Sequence, residues 1–398
     1  MAFDICIIGA GIAGLYCARE LSNKYPEAKI CIIEKFKEIG GRAYTYHTTV
    51  NGMKVSWEAG AGRIHKSHHN VLHLLKEYGI DTIPISSSLE WRTNQGSEPI
   101  NFSKLLNNLE LSKLSEKTLE TKTLKEILIE IMGKKNSQNF IDRYEYRSEI
   151  DTLKASRAIE SLKHELGNQE GFSVVKGGFS SLVKKLKESI PKVKVFLDKE
   201  VLDIKKENNL YSLILENNEI KCFKVIVAIQ RDAVAKLPCF KGLPILDQVK
   251  MRPLVRMYAV FPTPSWFAGM NKFLCDLPIR YVLPIDPTKG TIMISYTDGE
   301  EAEFWIKQKN PLPMVMSQIR SLFPTIEIPE PLFFKVHPWS DGCSYWVPGQ
   351  YDFNKVSKAS VKPLPDMPEL YMCNESWAYE QCWVKCSIDQ AQKVIAVI

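Results

Sequence analysis

An α/β fold built on a parallel sheet is predicted by three observations near the start of the chain. Ile5-Cys6-Ile7-Ile8 is an apolar run of the length of a buried strand. It enters Gly9-Ala10-Gly11-Ile12-Ala13-Gly14, and the following Leu15-Tyr16-Cys17-Ala18-Arg19-Glu20-Leu21 reads as a helix. A second buried run, Lys29-Ile30-Cys31-Ile32-Ile33, ends in Glu34. Strand, G-x-G-x-x-G, helix, strand and acid, in that order, form the fingerprint of a Rossmann-like FAD/NAD(P)-binding domain. Gly9 permits the tight turn, Gly11 lets a pyrophosphate approach the backbone, and Gly14 lets helix and strand pack closely. The helix N-terminus around Ala13 supplies free N–H groups and partial positive charge for phosphates. Glu34 is placed to accept from ribose hydroxyls.

Composition sets the class. The 398 residues suit two domains, and 45% apolar with 25% charged residues describe a water-soluble globular chain. The net charge of +6 comes from lysines scattered among glutamates, which argues against a nucleic-acid surface. Ten cysteines without a C-x-x-C argue against a zinc site and for a reducing compartment. Neither a signal peptide nor an apolar run long enough for a membrane span is visible, so a soluble, cytoplasmic protein is expected. His69 and His73 stand four apart in the segment 65–80, read as a helix with Val71, Leu72, Leu74 and Leu75 inward, but no acid or cysteine completes a metal site. No metal is expected.

Beyond Glu34 the chain continues Lys35-Phe36-Lys37-Glu38-Ile39-Gly40-Gly41-Arg42-Ala43-Tyr44-Thr45, and later Trp57-Glu58-Ala59-Gly60-Ala61-Gly62-Arg63-Ile64-His65. The acid, the short spacer, Gly-Gly-Arg with a nearby Thr, and then an acid followed by Gly-Ala resemble the signatures of the flavin-containing amine oxidases. The resemblance implies FAD as cofactor and a dinucleotide domain of the glutathione-reductase type with an interleaved α+β substrate domain. It places the FAD-binding domain at 1–80, 171–244 and 346–398, and the substrate domain, with a helical insert, at 81–170 and 245–345. It also implies that Lys35, Gly41, Arg42, Gly60, Ala61, Gly62, Arg63 and Ile64 line the cofactor.

In chain order, residues 81–100 read as irregular around Ser86-Ser87-Ser88, and 104–164 as several helices, with Leu124, Ile127, Leu128 and Ile131 at helical spacing. Gly177-Gly178 precedes a helix through Leu186. Strands are predicted at Lys194–Leu197 and Glu200–Ile204, and the resemblance gives Val201 a backbone contact to the adenine. Tyr211–Leu215 and Ile220–Lys224 read as a hairpin, and Val225–Ile229 as a further strand. Residues 245–345 are strand-rich. Glu369–Glu375 reads as a strand, and Trp383–Ile398 as a closing helix with Ile388, Ala391, Val394 and Ile395 on one face.

The family site can be mapped onto single positions. Its lysine near the flavin falls on Arg256, which can hold a water or attract superoxide but cannot act as a base. One wall of the family's aromatic cage falls on Tyr345 or Trp346 and the other on Trp383. Cys343 follows Gly342 as the flavin-linking cysteine follows glycine in monoamine oxidases, although most of the family binds FAD without a covalent bond. The last flavin motif falls on Asn374, Glu375, Trp383 and Val384, with Asn374, Cys382 and Cys386-Ser387 at positions where the family has glycine or alanine. The expected function is oxidation of a small amine, polyamine or amino acid, with hydride transfer to flavin N5 and O2 as electron acceptor, giving H2O2 and an imine. The alternatives are a homologue that binds without catalysing, or a flavin desaturase or dehydrogenase. The oligomeric state is not legible.

Overall fold

The computed structural model describes residues 2–101, 111, 114–163 and 170–398. It has the α/β architecture that the sequence predicts. Phe3–Ile8 lies at the centre of a seven-stranded sheet. Ile30–Ile33 pairs parallel on one side of it, with Lys194–Phe196 beyond, and Glu219–Val227 pairs parallel on the other. Glu219–Val227 then carries two neighbours, the parallel strand Leu370–Met372 on its later half and the antiparallel Leu210–Ile214 on its earlier half. Alternation fills both faces. Ile5, Ile7, Ile30, Ile32 and Ile226 enter one core, and Cys6, Ile8, Cys31, Ile33, Val225 and Val227 enter the other. Such a sheet must be covered on both sides, which explains its unbroken apolar runs. Helix Ile12–Lys24 and the closing helix Val384–Val397 pack together on the first face, the latter through Ile388, Ala391 and Val394.

The second sheet has the order Phe333–Trp346, Val249–Val260, Thr291–Asp298, Tyr281–Asp286, Lys272–Leu274, Leu89–Thr93, Gly96–Pro99. Val255, Met257 and Ala259 turn to one face and meet Ala302, Trp305, Val315 and Ile319 of two covering helices. Leu254, Arg256 and Tyr258 turn to the other, as alternation along a strand requires.

Several elements differ from expectation. The segment 81–100 is strand Thr82–Pro84 followed by a hairpin, Leu89–Thr93 with Gly96–Pro99, in which Leu89 and Trp91 point inward. The serine-rich lead-in obscured that alternation. The helix expected over 65–80 is His69–Glu77, because Ile64–His65 is drawn into a strand against Phe172–Val175. The two strands read at 220–229 are one, Glu219–Val227, and the strand after Val201 starts at Asp203. Within 104–164, Leu124–Asp142 is a helix closed at its start by a Thr123/Glu126 capping box and interrupted at Gly133. Residues 104–110, 112–113 and 164 of that expectation lie outside the described residues.

Candidate active site

Between the two sheets lies a cavity of about 860 Å³, within the size range of small-molecule and cofactor sites. Its first end is the glycine turn. Gly9 has φ +102°, so the chain leaves the first strand through a conformation that glycine tolerates at little cost. Gly11 is the N-cap of helix Ile12–Lys24 and offers no side chain to its free N–H groups. A Cβ added at Gly11 would meet no atom within 4 Å, whereas one at Gly14 would fall on the carbonyl oxygen of Gly9. Gly9, Gly11 and Ala13 line the cavity, and Gly14 packs beneath the turn. Glu34 lines it too, accepting from Ala10 N at 2.7 Å and from Phe36 N at 2.9 Å. Each oxygen keeps a lone pair for a further donor. Val201 and Lys35 close this end, Lys35 paired with Glu200 at 2.9 Å.

The middle is built from the two motif loops. Gly40 N donates to Ala10 O at 2.8 Å and Ala61 N to Arg42 O at 2.9 Å, so the loops lie on the glycine turn and on each other. Gly41, Arg42, Gly60, Ala61, Gly62 and Arg63 all line the cavity; Ile64 does not, being buried in its strand. Arg42 donates to Gly342 O at 2.9 Å and pairs with Glu375 at 2.6 Å. Burial disfavours that guanidinium's charge most, but the neighbouring groups, Glu375 first among them, together outweigh it and hold the pKa above the ordinary value. Arg63 donates to Tyr146 OH at 2.6 Å and lies over the Phe172 ring at 4.3 Å. Arg256 reaches in from the second sheet, donating to Glu58 O at 3.2 Å and lying 4.6 Å from the Tyr296 ring centre. A Cβ at Gly62 would stand 2.8 Å from Arg256 Nη1, so this glycine makes room for the arginine.

At the far end, Tyr345 and Trp383 both line the cavity. Trp346, the alternative for the same wall, points the other way. It is fully buried and donates to Ala378 O at 2.9 Å, because neighbours on a strand face opposite sides. Trp383 stacks against Phe172 at 5.8 Å and 22° and meets the His68 ring at 5.0 Å. Asn374, Glu375 and Val384 line the cavity as well. Of the side chains found where the family has small residues, Asn374 turns onto Ser376, accepting from its N at 3.1 Å, and Cys386 is buried. Cys382 lines the cavity with φ +69°.

The sequence reading missed Tyr146, Glu149, Tyr296 and Asp298, which complete this end. Asp298 accepts from Arg147 N at 3.1 Å and Ser148 N at 2.8 Å, and burial pushes its pKa up to about 6. Asp298 closes strand Thr291–Asp298 in the stretch read only as strand-rich, and nothing in its spacing marked it as a site residue. Tyr146 and Glu149 come from a stretch with no periodic pattern to single them out. Among the described residues no cluster of histidine, cysteine and carboxylate side chains is arranged for a metal, and no helix is long and apolar enough to cross a membrane.

The sequence profile described as flavin containing amine oxidoreductase matches residues 12–394. (S)-6-hydroxynicotine oxidase of Paenarthrobacter nicotinovorans is 34% identical over 96 residues, 24% of this chain and 22% of that enzyme's length. An uncharacterized protein of Acanthamoeba polyphaga mimivirus is 22% identical over 98% of this chain and 93% of its own. Among solved structures, a putrescine oxidase and the cyclohexylamine oxidase of Brevibacterium oxydans IH-35A each superpose with TM-score 0.78 at 16% identity, over 100% of this chain and 98% of theirs. At that identity they show a shared fold.

Proposed function

The chain belongs to the flavin-containing amine oxidoreductases, whose cofactor is FAD, and from that premise we propose that it oxidises a small amine, polyamine or amino acid at the far end of its cavity. The glycine turn with the free start of helix Ile12–Lys24 receives the diphosphate, Glu34 the ribose, and the backbone at Val201 the adenine. The fit rests on the open face of Gly11 and on cations held beside the cavity by Arg42, Arg63 and Arg256. FAD held there would supply the hydride acceptor for the carbon bearing the amine and the route for electrons to O2.

The chain's own residues bind and orient the substrate. One observation carries the reading: Tyr345 and Trp383 share the far end with Glu149 and Asp298. Aromatic faces and carboxylates together attract an ammonium group. Asp298, whose pKa burial raises to about 6, places a second carboxyl group there beside Glu149. Arg256 is held by a carbonyl and a ring, and among the described residues it makes no ion pair within 4 Å, so it suits an amino acid's carboxylate or a reduced oxygen anion.

Anaerobic addition of putrescine, cyclohexylamine or an amino acid to the yellow FAD-loaded protein tests this. Bleaching that reverses in air, with release of hydrogen peroxide, is expected. Arg256 in place of the family's lysine favours a second reading, a dehydrogenase that passes electrons elsewhere. Bleaching that air does not reverse selects it, and no bleaching with any amine contradicts both.

A further inference from the structure

We propose that Cys343 and Cys382 are a redox-active thiol pair beside the flavin, so that the chain also accepts electrons from dithiols. The proposal rests on the FAD site above and not on amine turnover. All ten cysteines are free, and seven are buried. Of the three others, Cys239, Cys343 and Cys382, the last two line the same cavity.

Their placement is fixed through Ser344. The Cys382 thiol donates to Ser344 O at 3.3 Å. Cys382 N and Ser344 Oγ both donate to Glu375 Oε2, at 3.2 Å and 2.5 Å. Ser344 adjoins Cys343 in the strand, so the Cys382 thiol is held on the peptide next to Cys343, and both cysteines face the same cavity. Glu375 in turn pairs with Arg42, which ties the cluster to the motif loop lining the cofactor path. Cys382 occupies a left-handed conformation, φ +69°, that is strained for a residue with a side chain. Strain of this kind concentrates at functional sites. Burial pushes the Cys382 thiol above the ordinary range, which keeps that sulfur in its neutral thiol form.

In the step proposed, the two S–H bonds break and one S–S bond forms. Two electrons and two protons leave the thiols and reduce the oxidised flavin. An external dithiol reopens the disulfide by exchange and is itself oxidised to a disulfide. Dioxygen regenerates the oxidised flavin, giving hydrogen peroxide.

The test is anaerobic titration of the FAD-loaded protein with dithiothreitol, together with alkylation and mass spectrometry of the protein before reduction. Wild type and Cys239→Ser are expected to bleach and to show a Cys343–Cys382 cross-link in the oxidised protein. Cys343→Ser and Cys382→Ser are expected to keep their yellow colour and lack the cross-link. Equal bleaching in both serine variants overturns the proposal. So does an oxidised protein with all ten thiols open to alkylation, or a flavin that stays attached to Cys343 after denaturation. A cross-linked protein inert towards every amine supports the thiol pair and sinks only the amine reading.

Discussion

Gly11 and Gly14 stand three residues apart, and their neighbours predict opposite outcomes for the same change. A methyl group at Gly14 collides with the Gly9 carbonyl, so Gly14→Ala is expected to cost about 1–3 kcal/mol in urea unfolding. A methyl group at Gly11 meets only open cavity, so Gly11→Ala is expected to lower stability by about 1 kcal/mol or less while weakening FAD uptake severely. Glu58 adds a pH dependence. Burial raises its pKa from 4.5 to about 7, against bonds from Phe179 N and the Thr45 hydroxyl that favour the charged form. The folded chain holds this proton longer than the unfolded chain. Stability therefore falls as pH rises from about 4.5 to about 7 and is level above, a contribution of about 3 kcal/mol at most. Glu58→Gln is expected to flatten that part of a pH series of unfolding curves; an unchanged slope contradicts it.

The link between the Gly-Gly-Arg loop and the last flavin motif is the pair Arg42–Glu375, with Glu375 4% exposed. Glu375→Ala leaves that arginine without its carboxylate and is expected to cost roughly 3–5 kcal/mol and to release FAD, read by thermal unfolding with and without added cofactor. The sequence displayed both ends of this link as motifs, because turns and close backbone approaches demand particular residues at fixed spacing. It displayed the first strand, its helix and the closing helix for a related reason, since each buries a continuous or periodic apolar face. It hid the hairpin 89–99, where half of each strand is polar and the lead-in is serine-rich. Tyr146, Glu149 and Asp298 were hidden more deeply. They become a site only when strand Thr291–Asp298 and helix Arg147–Asp151 meet, and that meeting rests on Asp298 accepting two backbone N–H groups. Trp346 shows the limit of motif matching, as a shift of one residue on a strand turned one of two candidate cage aromatics into core.

At the scale of the molecule, two sheets enclose one cavity whose ends differ in chemistry: a glycine turn with free N–H groups at one, aromatic rings and carboxylates at the other. Trp383→Ala and Tyr345→Ala are each expected to raise the amine concentration needed for half-bleaching by roughly tenfold, the loss of one favourable cation–aromatic contact, while FAD remains bound. The whole account depends on the first end gripping a flavin dinucleotide, and titration of the colourless, FAD-stripped protein with FAD tests that most directly. One FAD per chain, taken up by wild type and refused by a folded Gly11→Ala variant, is the result expected. A folded wild-type chain that takes up no FAD, or a Gly11→Ala variant that takes it up equally well, contradicts it.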